Sequence, residues 1–163
     1  YDTLDMNILD ILFEDARTTA EQAAVMAGAP VEEVRPRIAV LERDRVLIKY
    51  PAMVNWAKTG RDMIKAVIEV RMQPQRDRGF AAVAARLSQF EEVTSLYLMS
   101  GAYDLMVTVE APTLRQLANF VSSRLSTIDS VTGTAKHFFL KTYKYGGAIF
   151  EDGGEDKRLA VSP

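Results

Sequence analysis

Ile64-Lys65-Ala66-Val67-Ile68-Glu69-Val70-Arg71-Met72 is the stretch whose reading decides the fold. Ile64, Ala66, Ile68, Val70 and Met72 occupy every second place, with Lys65, Glu69 and Arg71 between them. A period of two describes a half-buried β-strand. The residues before it follow a helical period instead, so the chain changes architecture close to residue 64.

Downstream the pattern alternates. Phe80, Val83, Ala84 and Leu87 return to helical spacing. Val93 to Met99 and Leu105 to Val109 read as strands, joined by the turn Ser100-Gly101-Ala102-Tyr103-Asp104. Thr113 and Gln116 have the spacing of a capping box, ahead of a helix with Leu114, Leu117, Ala118, Val121 and Leu125 on its face. Ile128 to Thr142 closes as a long strand. The order is βαββαβ, the ferredoxin-like arrangement. Right-handed crossovers put both helices on one face of the sheet. Strands this rich in Val, Leu, Ile and Phe then need cover on the other face, and a second copy of that face supplies it. A homodimer through the sheet is the expectation.

Upstream, Leu4, Ile8, Ile11 and Leu12 share one helical face. Thr19 and Gln22 form a capping box for a short second helix, which Gly28 ends. Val34, Ile38 and Leu41 mark a third helix, giving a helix-turn-helix pattern. Val46-Leu47-Ile48 and Ala52-Met53-Val54 read as a two-stranded wing or a connecting strand. The fold class is therefore α+β: a (winged) helix-turn-helix followed by a βαββαβ domain. The helix-turn-helix covers 1–55, a linker 56–63, the ferredoxin-like domain 64–145 and a tail 146–163. Trp56 is expected to pack on a neighbouring element. Ala148-Ile149-Phe150 and Arg158-Leu159-Ala160-Val161 flank an acidic segment, as a hairpin or a loose terminus.

Composition narrows the function. Of 163 residues, 48% are hydrophobic and 26% charged, which excludes wholesale disorder. There is no cysteine, hence no disulfide and no Cys-based zinc site. Charges interrupt every apolar run, so no helix should span a bilayer. Asp2 and Asp5 open the sequence where a secretory leader would be basic, and a soluble, cytoplasmic protein is expected. No P-loop, dinucleotide fingerprint or nucleophile elbow is present, and Ser100 has no such context. His137, the single histidine, lies on a Phe-rich strand as a packed or interfacial residue. Neither an enzyme nor a cofactor is expected. An enzyme using Asp104 and His137 has no acid/base spacing behind it.

The fragments Leu4-Asp5-Met6-Asn7-Ile8-Leu9, Arg37-Ile38-Ala39-Val40-Leu41-Glu42-Arg43 and Tyr50-Pro51-Ala52-Met53-Val54-Asn55 come in the order of a known family. With Met99-Ser100-Gly101-Ala102-Tyr103-Asp104 and its Gly-x-x-Asp turn, the chain resembles the Lrp/AsnC (feast/famine) regulators. The resemblance implies a transcription regulator bound to double-stranded DNA. It implies dimers assembling to octamers. It also implies a C-terminal RAM domain, similar to ACT domains, that binds an amino acid at a subunit interface.

On that reading the DNA candidates are Arg35, Arg37, Arg43 and Arg45 in and after the third helix, with Lys49 beyond. Arginine grips guanine bidentately or clamps phosphate. Gly101 and Asp104 are the effector candidates, and Met99, Tyr103, Thr132 and Thr134 the wall residues. An amino acid needs an acceptor for its ammonium and backbone N–H groups for its carboxylate. The same turn also reads as a plain hairpin turn capped by its aspartate. Against DNA stands the charge: residues 1–55 hold six basic and ten acidic side chains, a net of −4. Glu32 and Glu33 open the third helix, Pro36 interrupts it at a cost of about 3 kcal/mol, and Arg45 stands where the family usually has glycine. The alternative is an amino-acid-binding oligomeric module that works through protein partners.

Overall fold

The computed structural model describes residues 1–61, 63–73 and 79–150. The chain divides into two compact units, Tyr1–Val54 and Asn55–Pro163. Three helices build the first: α1 (Thr3–Glu14), α2 (Ala20–Ala27) and α3 (Val31–Arg43). Reciprocal bonds between Asp2 and Asp5 cap α1, each backbone N–H donating to the other residue's carboxylate at 3.0 Å. Thr19 and Gln22 cap α2 in the same way. Gly28 then ends it with φ +66°, a left-handed conformation that costs glycine little. Ile8, Leu12, Ala23, Ala24, Val34 and Leu41 close the core between the helices. Helix α3 runs through Pro36 from Val31, so the carbonyl of Glu32 forgoes its usual N–H partner.

No wing follows. Residues 44–55 contain no strand. Arg45 turns left-handed at φ +56°. The N–H groups of Val46 and Leu47 then donate back to the Leu41 carbonyl, at 2.9 and 3.0 Å. Those donors cap α3 and are spent before a ladder can form, and Pro51 has none to give. Leu47 turns in against the helical core.

In the second unit a short 3-10 turn (Trp56–Lys58) leads to a four-stranded antiparallel sheet of order β2-β3-β1-β4. Its strands are β1 (Ile64–Met72), β2 (Val93–Leu98), β3 (Leu105–Ala111) and β4 (Val131–Phe138). Helices α4 (Phe80–Leu87) and α5 (Leu114–Phe120) complete βαββαβ, and α5 runs on into a π-helical turn over Val121–Leu125. Ala66, Ile68 and Val70 of β1 and Leu105, Val107 and Val109 of β3 form the inner face. Val83, Leu87, Leu117, Phe120 and Leu125 pack onto it. The closing strand stops at Phe138, well short of Thr142.

The other face is more polar than its composition promised. Pairing sets Val67 opposite Thr108 and His137, and Glu69 opposite Met106 and Ala135. Phe138 instead lies in register with Ala66, on the helix side. Lys65 pairs with Glu110 at 2.8 Å, and His137 Nε2 lies 3.5 Å from Glu69. His137 is exposed rather than packed. Val67, Met106 and Tyr97 are the larger apolar side chains that this face retains. Beyond β4, Lys144–Tyr145 (β5) and Ala148–Ile149 (β6) form a hairpin around Gly146 and Gly147. The pairing expected between 148–150 and 158–161 lies outside the described residues.

Candidate functional site

The helix-turn-helix cations are largely spoken for. The Arg37 guanidinium donates to Asp2 at 2.7 Å, Asp5 at 3.0 Å and Glu33 at 2.9 Å, and its side chain is only 27% exposed. These partners hold Arg37 well above its ordinary pKa, Asp2 foremost, and Arg37 in turn holds Asp2 below the usual carboxylate range. The network ties α3 to the start of α1. Arg35 is bonded to Glu21 of α2, and Arg43 to Asp44 at 2.8 Å. Arg45 and Lys49 are exposed just past α3 and carry no ion pair among the described residues. Sequence reasoning missed the partners of Arg37, since Asp2 and Asp5 stand 35 and 32 residues away. It also missed Arg17, paired bidentately with Asp15 between α1 and α2. Arg17 holds the Asp15 carboxyl down at about 2.

The sensor candidates gather at one end of the sheet. The Asp104 carboxylate accepts from the Met72 N–H at 2.7 Å, and the Asp104 N–H donates to the Val70 carbonyl at 3.0 Å. Met99 N–H donates to the Asp104 carbonyl at 2.8 Å, closing the turn. From the other side of β1, the Thr132 hydroxyl donates to the Arg71 carbonyl at 3.3 Å, and Thr134 is registered with Val70. The two groups thus flank the same last residues of β1. Tyr103 and Met99 are half-buried and Gly101 is exposed. Nothing packs within 4 Å of where a Gly101 Cβ would stand. One Asp104 oxygen closes the turn, and a carboxylate has acceptor capacity beyond that single bond.

At the opposite end of β3, a hollow of about 450 Å³ is lined by Glu91, Glu92, Glu110, Gln116, Asn119 and Arg124 among others. Two of its charges are already occupied, Glu110 by Lys65 and Arg124 over the Phe90 ring at 5.1 Å. Among the described residues, no cluster of His, Asp or Glu is arranged to hold a metal ion. No described helix is long and apolar enough to cross a membrane.

A helix-turn-helix unit ahead of a ferredoxin-like sheet is the build of a two-domain transcriptional regulator. The sequence profile described as the Lrp/AsnC ligand binding domain matches residues 65–149. The chain belongs to the Lrp/AsnC family. It is 48% identical to the HTH-type transcriptional regulator YugG of Bacillus subtilis, over 98% of this chain and 96% of that one. With the regulator LrpA of Pyrococcus abyssi it shares 32% identity, over 88% and 99% of the two chains. A Neisseria meningitidis transcriptional regulator solved as a complex with L-Met has the same fold, with TM-score 0.70 and 22% identity over 89% of this chain and 93% of that one.

Proposed function

We propose that the protein is a DNA-binding transcriptional regulator whose second unit dimerises and senses an amino acid. One observation carries the reading: a helix-turn-helix and the family's ligand-binding domain stand in one chain, aligned nearly end to end with regulators. In this reading Arg45 and Lys49 meet DNA phosphates first. Arg35, Arg37 and Arg43 reach DNA only by leaving their carboxylates. Asp104 accepts the ammonium of the effector, and the exposed backbone at Gly101 takes its carboxylate. Met99, Tyr103, Thr132 and Thr134 wall the ligand. Binding where two copies meet gives the amino acid unequal affinity for different assemblies, dimer or octamer, and so couples ligand to DNA. The regulator works in the cytoplasm and performs no catalysis.

Thermal stabilisation across the twenty amino acids, with particle size measured in the same samples, tests the sensor. Stabilisation by one or a few amino acids with a change in size is expected. No response to any of them removes the sensor role. The alternative, a module acting through protein partners, draws on the acidic helical unit and its occupied arginines. A fluorescence titration against promoter fragments at low salt decides between them, since absence of DNA binding there leaves only the module.

A further inference from the structure

Asn55 is the first residue of the second unit. Its Nδ2 donates to the carbonyl of Phe150 at 3.1 Å, 95 residues away in sequence, in a part-buried bond. Phe150 is fixed in turn. Its N–H donates to the Tyr143 carbonyl at 2.9 Å, and its ring meets Tyr145 edge-on at 6.5 Å. Both contacts belong to the β5–β6 hairpin, which among the described residues forms a two-stranded sheet of its own. Just after Asn55 the chain makes a single 3-10 turn. The Thr59 hydroxyl closes it on the Trp56 carbonyl at 2.8 Å, and Arg61 stacks over the indole at 4.8 Å. The connector is thus a short, self-capped piece joined to the hairpin by a side-chain amide.

The hairpin also follows β4 in the chain, after residues 139–143. At its start, β4 pairs with Arg71 and Met72, the residues that Thr132 and Asp104 also bond. Past its far end comes Phe139, whose N–H donates to the Lys65 carbonyl at 3.0 Å. The chain therefore runs along β4, beside the residues that Asp104 and Thr132 bond, and on through the non-strand residues 139–143 to the hairpin that holds Asn55. The pairing of β4 with β1 shifts register at Arg71/Met72 and is continuous from Gly133 to Phe138. A strand held along that length carries a displacement to its end and into the chain that leads to the hairpin.

We propose that Asn55 is a positioning residue, strapping the connector to the β5–β6 hairpin so that a shift of β4 reaches the helix-turn-helix unit. The proposal rests on the effector reading of the Gly101–Asp104 turn. The task of Asn55 and the hairpin is transmission, not contact with DNA or ligand.

Asn55→Asp keeps the side chain's shape and removes the donor. Trypsin cleavage after Lys58 and Arg61, followed by mass spectrometry, reads the strap alone. Cleavage about fivefold faster than in the unaltered chain is expected, the population change from losing one ordinary hydrogen bond. An unchanged rate overturns the strap. DNA titrations with and without each of the twenty L-amino acids read transmission. In Asn55→Asp, amino-acid affinity and DNA affinity without amino acid stay as they were, while the effect of the amino acid on DNA affinity falls towards onefold. An undiminished effect overturns transmission. If the unaltered chain responds to no amino acid, the effector reading fails and transmission with it, while the trypsin rates still judge the strap. Asn55→Ala supplies the same comparison if the aspartate disturbs folding.

Discussion

Arg37 is a structural cation in a place where the sequence offers it to DNA. Its fork spans Asp2, Asp5 and Glu33, a geometry that an ammonium cannot reproduce. Arg37→Ala is expected to lower the melting temperature of the helical unit by a few degrees, and Arg37→Lys to restore little of it. Lys49→Ala is expected to leave the melting temperature unchanged while weakening DNA binding. Differential scanning calorimetry and the DNA titration separate the two. Tyr50 offers a second test. Partial burial, reinforced by a hydrogen bond to Glu42 at 2.7 Å, pushes its phenol up to about 12 from an ordinary 10.0. The folded state therefore keeps its proton where the unfolded chain has lost it. Stability from this group is complete below pH 10 and is lost as pH rises towards 12. In Tyr50→Phe that alkaline decline should flatten, as followed by circular dichroism; an identical decline would sink the assignment.

At the scale of elements, much was legible because its causes are local. Thr19 with Gln22 and Thr113 with Gln116 announced their helices, since a cap needs only residues three apart. The alternation of β1 announced its buried face for the same reason. What escaped depends on pairing. The polarity of the outer sheet face follows from a register that sets Phe138 beside Ala66, and no single strand carries that information. The wing failed because Val46 and Leu47 spend their donors on the end of α3. The turn before β3 was readable as a motif, but the Asp104 bond to the Met72 N–H was not, since it joins residues 32 positions apart. The part Asp104 plays in the fold and its proposed part in effector binding can be split. Asp104→Asn retains an acceptor for the Met72 N–H and loses the charge, so it should fold normally and lose amino-acid stabilisation. Asp104→Ala should lose that and also about 1–3 kcal/mol of stability from the unsatisfied N–H. Chemical denaturation and the thermal screen, run on both variants, read the two effects separately.

For the whole molecule the question is how a near-neutral chain holds a polyanion. Residues 56–150 carry twelve basic and eight acidic side chains, opposite in sign to the acidic helical unit. If Arg45 and Lys49 alone meet phosphate, the dependence of log affinity on log salt should have a slope of about −2 per helical unit. Five contacts would give about −4.5, and would mean that Arg35, Arg37 and Arg43 abandon their carboxylates on binding. Titration over a range of salt concentrations distinguishes these directly.

Arg45 draws these threads to one residue. It is the one described residue other than glycine with positive φ, held at +56° where its Cβ is unwelcome by about 1 kcal/mol. Within the helical unit, Arg45 and Lys49 are the cations past α3, and neither carries an ion pair among the described residues. Arg45→Gly should therefore make a sturdier protein and a poorer DNA binder, seen as a higher denaturation midpoint beside a shallower salt slope. A screen for robustness alone would select that glycine and discard the regulator.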